Sequence, residues 1–258
     1  MSHRTERTFE NIPVGPLGFI PVNGCQELGK KVDDYLVKWR KEATENNDAV
    51  IVLEDYAKDS FIVDAKVPRF GSGEAKGIIN ESVRGKDIYI MVDVCNYSLT
   101  YTVCGHENHM SPDDHYQDLK RIIAAIAGKA RRITVIMPFL YESRQHKRTR
   151  RESLDCAFML HELVSLGVEN IMTFDAHDDR VRNAIPLEGF DNLMPTYQML
   201  KAFIPFVEPS LQRTLALCIR LFELISTLDF YNHLGEDCPL NRKTKDKKAI
   251  FNEIKKYC

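Results

Sequence analysis

Four runs of apolar, mostly β-branched residues recur along the first two-thirds of the sequence, and the segments between them include stretches with helical spacing. The runs cover residues 49–53, 87–94, 132–138 and 170–175. Short apolar runs of this kind are typical of strands that are buried on both faces. Strands joined through helices need crossover connections, which give a mostly parallel sheet flanked by helices. The pattern therefore predicts an α/β fold.

Helical periodicity is clearest in residues 115–130 and 152–166. In the first segment the apolar residues fall on one face, and Asp113 and Asp114 stand near its start, where acids are favourable. Gly167 follows the second segment at the place of a C-cap. An apolar stretch at 210–228, interrupted by three charges, predicts an additional helical tail rather than a membrane span. The expected divisions are an extension with a first helix (1–48), a main domain (49–201) and the tail (202–258).

Composition narrows the class of partner. The 35 basic and 37 acidic side chains nearly cancel, so the overall charge gives no reason to expect nucleic acid as a partner. The first ten residues are polar and unlike a signal peptide, and no run is apolar enough to span a membrane. Seven cysteines without a CxxC pair fit reduced thiols. We therefore expect a cytoplasmic protein that does not bind a membrane.

A group of potential metal ligands lies between the second and third runs. It comprises Cys95, Cys104, His106 and His109. Their spacing matches no zinc pattern, and a loop with incidental polar residues is the favoured interpretation over a structural zinc site.

The segment after the third run carries five cationic side chains in a row of fourteen residues: Arg144, Lys147, Arg148, Arg150 and Arg151. A basic stretch is often only a solvated loop. Ligands of open parallel sheets, however, bind beyond the carboxyl ends of the strands, which is where this segment falls. Because like charges repel and arginine suits phosphate oxygens, the position favours a site for a polyphosphate.

Acidic residues and a histidine follow the fourth run. Asp175, His177, Asp178 and Asp179 would lie next to the basic segment if the two strands are neighbours. Carboxylates beside bound phosphates are the usual way to hold magnesium, which shares its oxygen ligands with the substrate. The alternative is that the acids stabilise a helix N-terminus and the histidine only caps or packs. Both interpretations stay open from the sequence.

Three segments in this order resemble motifs of the ribose-phosphate pyrophosphokinases, also called phosphoribosyl pyrophosphate synthetases. They are residues 69–74 (RFGSGE) with 80–87, residues 143–150 (SRQHKRTR), and residues 175–177 (DAH) with 190–193 (FDNL). The resemblance covers about residues 23–201, the N-terminal half of such an enzyme. It implies a phosphoribosyltransferase-like α/β domain. It also implies transfer of diphosphate from ATP to ribose 5-phosphate, with Mg²⁺, in nucleotide biosynthesis.

The resemblance also assigns roles to individual residues. Arg144 and Gln145 would hold ATP, and a turn containing Phe70 and Glu74 would reach from a neighbouring subunit to the adenine. Asp175 and His177 match the family's metal-associated Asp-x-His, and Asp191 matches a further acidic position. We therefore expect a homo-oligomer or an assembly with complete family members. By itself the glycine turn at 71–73 is equally consistent with an ordinary hairpin.

The sequence also departs from the family pattern. Ser72 replaces an aspartate of the adenine turn, His146 replaces an aspartate after Arg-Gln, and the stretch 95–114 is longer than usual. After residue 201 we find neither the catalytic lysine-arginine loop nor the glycine- and threonine-containing turn that cradles ribose 5-phosphate. The sequence thus predicts a divergent family member whose second domain is missing or replaced. The alternative function is a non-catalytic, nucleotide-binding partner that regulates complete synthetase subunits.

Overall fold

A computed structural model describes residues 14–45, 58–193, 204–209 and 211–221. In chain order its main elements are β1 (Leu17–Pro21), α1 (Gln26–Glu45), β2 (Ala65–Lys66), β3 (Ile78–Ile79), β4 (Asp87–Met91), β5 (Thr100–Val103), β6 (His106–His109), α2 (Pro112–Ile126), β7 (Arg132–Ile136), α3 (Asp155–Ser165), β8 (Asn170–Thr173) and β9 (Gly189–Asn192). Short 3-10 helices cover Asp179–Ala184 and Ile204–Phe206. The chain divides into two compact units, Met1–Met194 and Pro195–Cys258. The predicted strand at 49–53 lies outside the described residues.

The first unit contains a five-stranded parallel sheet with the order β1-β4-β7-β8-β9. This arrangement confirms the predicted α/β class. The predicted runs at 87–94, 132–138 and 170–175 form β4, β7 and β8, each shorter at its carboxyl end than the apolar run. Because all five strands are parallel, their carboxyl ends meet at one edge of the sheet, and the loops that follow them gather there.

Strand β1 is not among the four runs that the sequence pattern predicts. It has five residues and lies between Pro16 and a proline at its last position, Pro21. Proline lacks a backbone N–H and is normally confined to strand ends or edges, so this composition gives a weak strand signal. The structure places β1 beside β4, with Phe19 opposite Tyr89. Residues 61–63 continue the pairing on its other side through Phe61 and Val63, which bond to Phe19.

Successive residues of the strands point to opposite faces of the sheet, and each face packs in its own apolar layer. On one face, Ile88, Ile90 and Val135 belong to the larger core with the apolar sides of α2 and α3. On the opposite face, Phe19 and Met91 form a smaller core to which α1 contributes Val32. Helices therefore cover the sheet on both faces, as expected for parallel strands that are buried on each side.

Helix α2 begins earlier than the sequence pattern indicates. Ser111 is its N-cap and forms a capping box with Asp114, and Pro112 occupies the first turn. These contacts satisfy backbone N–H groups that have no partner within the helix. The periodicity identifies the buried face, which includes Leu119 and Ile122, but it misses the cap. Helix α3 ends as predicted before Gly167, whose φ of +92° favours glycine.

The second unit is described at 204–209 and 211–221, where residues 211–221 are helical. They form part of the predicted tail helix, and the remainder of that prediction lies outside the described residues. Within the described ranges no helix is long and apolar enough to cross a membrane. The described cysteines Cys25, Cys95, Cys104, Cys156 and Cys218 are all free.

Two leucines test the assignment of the core. Leu163 in α3 is fully buried, whereas Leu187 is 92% exposed. Leu163→Ala should lower the free energy of unfolding by about 2–5 kcal/mol, because it removes buried apolar atoms and leaves a cavity. The matched Leu187→Ala should change it by less than about 0.5 kcal/mol. Urea denaturation of both variants measures the difference, and equal destabilisation would contradict this core.

Candidate functional site

The loops after β7 and β8 are joined directly by their backbones. Phe139 and Asp175 form a parallel bridge beyond the ends of the two strands. The N–H of Phe174 donates to the carbonyl of Pro138 at 3.1 Å, and the N–H of Leu140 donates to that of Asp175 at 3.4 Å. The basic segment and the acidic segment predicted from the sequence therefore start side by side at the carboxyl edge of the sheet.

The basic segment presents its cations to solvent. All five are exposed: Arg144, Lys147, Arg148, Arg150 and Arg151. None of them has an ion pair or hydrogen bond from its side chain to another of the described residues. Five cations without ion-pair partners repel one another, so a bound polyanion would be favoured by their combined field.

Gln145 holds this segment in place. Its Nε2 donates to the carbonyl of Ser153 at 2.8 Å and more weakly to that of Lys147 at 3.4 Å. Its own carbonyl accepts from the N–H of Cys156, in the first turn of α3, at 3.3 Å. The side-chain and backbone bonds of Gln145 thus close the loop between Arg144 and α3. They fix the backbone position of the residue next to Arg144.

His146 connects the basic segment to the acidic one. Its ring lies edge-on to the ring of His177, with centroids 5.2 Å apart. Its Nε2 is 3.4 Å from Oδ2 of Asp178, while its buried Nδ1 has no partner among the described residues. The sequence identifies His146 only as a departure from a family aspartate. Its position between the two loops could not be inferred from the chain, because no motif pairs residues 146 and 178.

Asp178 has a structural role at this edge. It is the N-cap of the 3-10 helix Asp179–Ala184, accepts from the N–H of Arg180, and forms a bidentate pair with the Arg180 guanidinium. The hydrogen bonds from Arg180 hold the pKa of the Asp178 carboxyl well below its usual value. The alternative interpretation therefore describes Asp178, and the His177 ring packs against His146, whereas Asp175 takes part in neither contact.

Asp175 and His177 stand apart from these contacts. Both are exposed, and the Asp175 carboxylate has no hydrogen bond or ion pair to another described residue. Asp191 lies in β9 opposite Met172 of β8. Met172 precedes Asp175 by three residues, so Asp191 and Asp175 are separated by roughly 10 Å along the strand direction. No group of three or more His, Cys, Asp or Glu side chains suited to an ion occurs within the ranges that the structure describes. Among the described residues, neither the predicted metal residues nor the cysteines and histidines of 95–109 form such a group.

A third strand end reaches the same edge. Cys95, in the loop after β4, is close enough to Arg144 and Asp175 for both charges to act on its thiol. Partial burial and the neighbouring Asp93 raise the pKa of Cys95, while Arg144 opposes that shift. Cys95 is therefore a protonated, neutral thiol at neutral pH and adds no charge to the site.

The N-terminal part of α2 contacts the start of the basic segment through Tyr141. The Tyr141 hydroxyl donates to Oδ1 of Asp113 at 2.6 Å, and the Tyr141 ring stacks on Tyr116 with centroids 4.5 Å apart. Burial, followed by the hydrogen bond to Asp113, raises the pKa of Tyr141. The tyrosine thus stays a neutral hydrogen-bond donor that links the loop to the helix.

Phe70 and Glu74 lie in a separate tight turn. The N–H of Phe70 donates to the carbonyl of Glu74 at 2.7 Å, and Arg69 and Ala75 form an antiparallel bridge. The glycine segment is therefore a hairpin turn, and Phe70 is 50% exposed. No hydrogen bond, ion pair or ring contact between described residues joins Phe70 or Glu74 to Arg144, Gln145 or Asp175 of the same chain.

The structure thus brings together Arg144, Gln145, Asp175 and His177, and it leaves Asp191, Phe70 and Glu74 apart from them. Sequence reasoning finds the two charged loops from the rule that ligands bind at strand ends. It misses His146 and Tyr141, because their partners come from distant segments. Chemically, the joined loops can neutralise and orient a polyanion and can offer a carboxylate and an imidazole to a cation that the polyanion carries.

Comparison with known proteins shows which family this domain is similar to. Residues 18–167 match the family model described as the N-terminal domain of ribose phosphate pyrophosphokinase. Ribose-phosphate pyrophosphokinase B of Dictyostelium discoideum is 30% identical over 129 residues, which cover 48% of this chain and 35% of that protein. Ribose-phosphate pyrophosphokinase of Vibrio parahaemolyticus is 28% identical over 141 residues, covering 54% and 40%. The chain therefore matches about two-fifths or less of the length of these relatives.

The crystal structure of phosphoribosylpyrophosphate synthetase from Mycobacterium smegmatis has a similar fold. It superimposes with a TM-score of 0.55 at 20% identity and covers 73% of this chain and 51% of that chain. At this identity the similarity supports the α/β fold, and the match to the family model supports membership.

The role of Gln145 can be tested by proteolysis. Gln145→Leu removes the hydrogen bonds to Ser153 and Lys147, so the segment should open more often and trypsin should cleave after residues 147–151 about two- to tenfold faster. Gln117→Leu, the same change at an exposed position of α2, is the matched control. Mass spectrometry of the early fragments gives the rates, and equal cleavage in the two variants would show that Gln145 does not hold the loop.

Proposed function

This chain belongs to the ribose-phosphate pyrophosphokinase family, and we propose that it binds ATP with Mg²⁺ at the joined carboxyl ends of β7 and β8. In this proposal it provides the nucleotide-binding part of the transfer of diphosphate from ATP to ribose 5-phosphate, which yields phosphoribosyl pyrophosphate. One observation carries the proposal: the loop that holds five exposed cations, which have no ion-pair partners among the described residues, is joined at its start to Asp175, whose carboxylate is also unpaired among them.

The cations suit the phosphates of a nucleotide. Arginine forms paired hydrogen bonds with phosphate oxygens, and its planar head group fits them better than a point charge. Arg144 lies nearest to the joined strand ends, and Gln145 fixes the loop around it. We therefore assign Arg144 to the phosphates and Gln145 to keeping the loop in the conformation that presents Arg144.

Asp175 and His177 suit a shared magnesium ion. Mg²⁺ keeps several waters and is commonly held by one or two carboxylates together with substrate phosphates. The described residues contain no ready cluster of three protein ligands, which fits an ion that arrives with its nucleotide. When bound, the ion would supply neutralisation of phosphate charge. Asp191, which the family resemblance also suggests, would contribute through a bound water, since it lies opposite Met172 and not at the level of Asp175.

Diphosphoryl transfer depends mainly on charge neutralisation and in-line positioning, with little covalent chemistry for the protein to perform. The residues of this edge would meet that requirement through a cationic loop whose backbone is anchored. Tyr141 keeps the basic loop on α2 through Asp113. His146 keeps it beside the loop of His177. Together these contacts anchor the loop that carries the cations before ligand binding, which lowers the cost of reorganisation.

The turn of Phe70 and Glu74 fits adenine recognition across a subunit boundary. An exposed aromatic ring can stack on a base, and Glu74 can accept from its exocyclic amino group. Because no described contact links this turn to Arg144 within one chain, we propose that the turn serves the site of a second copy or of a complete family member. Self-association would then be part of nucleotide binding.

The sugar phosphate needs residues that this sequence does not provide in a form we recognise. A 5-phosphate is normally held by a nest of backbone N–H groups, and the family's glycine- and threonine-containing turn is not found after residue 201. A second candidate function is that the chain binds nucleotide without catalysis and modulates complete subunits; the exposed turn of Phe70 and Glu74, which makes no described contact with Arg144 of the same chain, favours it. Product formation distinguishes the two candidates.

Arg144→Ala should weaken binding of MgATP by about 1.5–3 kcal/mol, the range for hydrogen bonds to charged groups. Arg84→Ala is the matched control, since Arg84 is exposed and precedes β4 at the opposite edge of the sheet. Isothermal titration calorimetry measures both affinities. An unchanged affinity of Arg144→Ala for MgATP would contradict a nucleotide site at this edge.

The effect of Mg²⁺ on ATP affinity should depend on His177. In the unaltered chain, ATP should bind more tightly with Mg²⁺ than with EDTA, because the ion links the phosphates to the protein. His177→Ala should reduce that difference, whereas His106→Ala, an exposed histidine of β6, should preserve it. A difference of unchanged size in His177→Ala would mean that the histidine only packs.

The 258-residue chain alone should form little or no phosphoribosyl pyrophosphate. Positioning of the acceptor hydroxyl can contribute about 7–11 kcal/mol to such a reaction, and that contribution needs a sugar-phosphate site. An assay with labelled ATP and ribose 5-phosphate, with and without a complete family member, measures product. Robust product from the chain alone would contradict this expectation and exclude the non-catalytic alternative.

A further inference from the structure

The longer stretch between β4 and α2 forms the β5–β6 hairpin, and this hairpin packs against the turn of Phe70 and Glu74. The N–H of Cys104 donates to the carbonyl of Gly71 at 3.0 Å. At Gly73, an added Cβ would lie 2.9 Å from Cγ2 of Val103, so the two hairpins are in close contact there. Gly73 also has a φ of +90°, which a residue with a side chain rarely adopts.

Arg69 anchors this turn. Its guanidinium lies 4.4 Å from the centre of the Tyr101 ring, bonds to Asp118 at 3.0 Å, and bonds to the carbonyl of Gly73 at 3.3 Å. Asp118 is fully buried in α2. The side chain of Arg69 therefore closes the turn at one end, stacks on the hairpin and pairs with the helix.

The hairpin is tied to the same helix. The Tyr101 hydroxyl donates to Asp114 at 3.3 Å, and Asp114 belongs to the capping box of α2. Asp113, the preceding residue, accepts from Tyr141 of the basic loop. The first turns of α2 thus support both the turn of Phe70 and Glu74 and the loop of Arg144.

The hairpin adds little to the core. All four residues of β6 are exposed, and no residue of β5 or β6 belongs to either apolar core. A two-stranded hairpin is only marginally stable by itself, so contacts with a neighbour determine its conformation. Its contacts with residues 69–75 are therefore the part of this insertion most able to affect ligand binding.

We propose that the β5–β6 hairpin is a positioning element for base recognition. Tyr101 holds Arg69, and Arg69 holds the turn in the conformation that presents Phe70 and Glu74 to the adenine. This inference rests on the proposed function, since it assumes that ATP binds to the chain. It assigns a role in base recognition to Tyr101 and Arg69, which contact no nucleotide themselves.

The experiment separates base recognition from phosphate binding. Calorimetry compares MgATP with magnesium tripolyphosphate, which has no base or sugar, at one protein concentration. The variants are Tyr101→Leu, Tyr101→Phe, Arg69→Lys and Phe70→Ala, with Tyr35→Leu as the matched control at an exposed tyrosine of α1.

Tyr101→Leu should weaken MgATP binding by about three- to thirtyfold, because it removes the ring under Arg69. Tripolyphosphate binding should not change. Tyr101→Phe keeps the ring and should stay close to the unaltered chain, while Arg69→Lys should resemble Tyr101→Leu because lysine loses the planar contact. The double variant Tyr101→Leu/Phe70→Ala should lose less MgATP affinity than the sum of the two single losses, since both changes act on the same turn.

Other outcomes contradict the inference. MgATP affinity that survives Tyr101→Leu, an equal loss for tripolyphosphate, or additive losses in the double variant would each show that the hairpin does not act through Phe70. If the unaltered chain bound tripolyphosphate as tightly as MgATP, the adenosine part would add no affinity. That result would be consistent with the phosphate site and would overturn this inference alone. Binding of neither ligand would overturn the proposed function and the inference together.

Discussion

The backbone pairing that continues from β7 and β8 into their following loops is the constraint on which the candidate site depends. Phe139 and Asp175 bridge the two loops three residues beyond the last regular pair, Ile136 and Met172. A parallel sheet brings strand ends to one edge, but loops usually diverge from there. Here the bridge places the start of a cationic loop against the start of an acidic one. Neutralisation of phosphates and sharing of a metal ion both require that proximity.

Much of the fold could be predicted because burial on both faces leaves a strong pattern in the sequence. The runs that form β4, β7 and β8 contain residues such as Ile90 and Val135, which are fully buried. The charged loops could be predicted as well, because parallel topology determines where they must lie. Strand β1 escaped the pattern, since prolines stand on both sides of its three buried residues and one of those three is a glycine.

The remainder of the site arises from contacts between segments that are distant in sequence. His146 lies against Asp178, and Arg69 pairs with Asp118 across 49 residues of chain. Residue spacing carries no signal for such pairs. The cap of α2 at Ser111 could have been found from its Ser-Pro-Asp-Asp sequence. Recognising it would have placed Asp113 and Asp114 at the carboxyl edge, beside the loop of Arg144.

The most direct test of this account is hydrogen exchange of the chain with and without MgATP, read by mass spectrometry. Fixing a loop by a ligand lowers the frequency of its opening and so slows exchange of its amides. The account predicts slower exchange in residues 138–151 and 173–180. Unchanged exchange there, with protection instead around Arg132 and Gly189 at the opposite edge of the sheet, would contradict it; a cavity of about 530 Å³ lies at that edge.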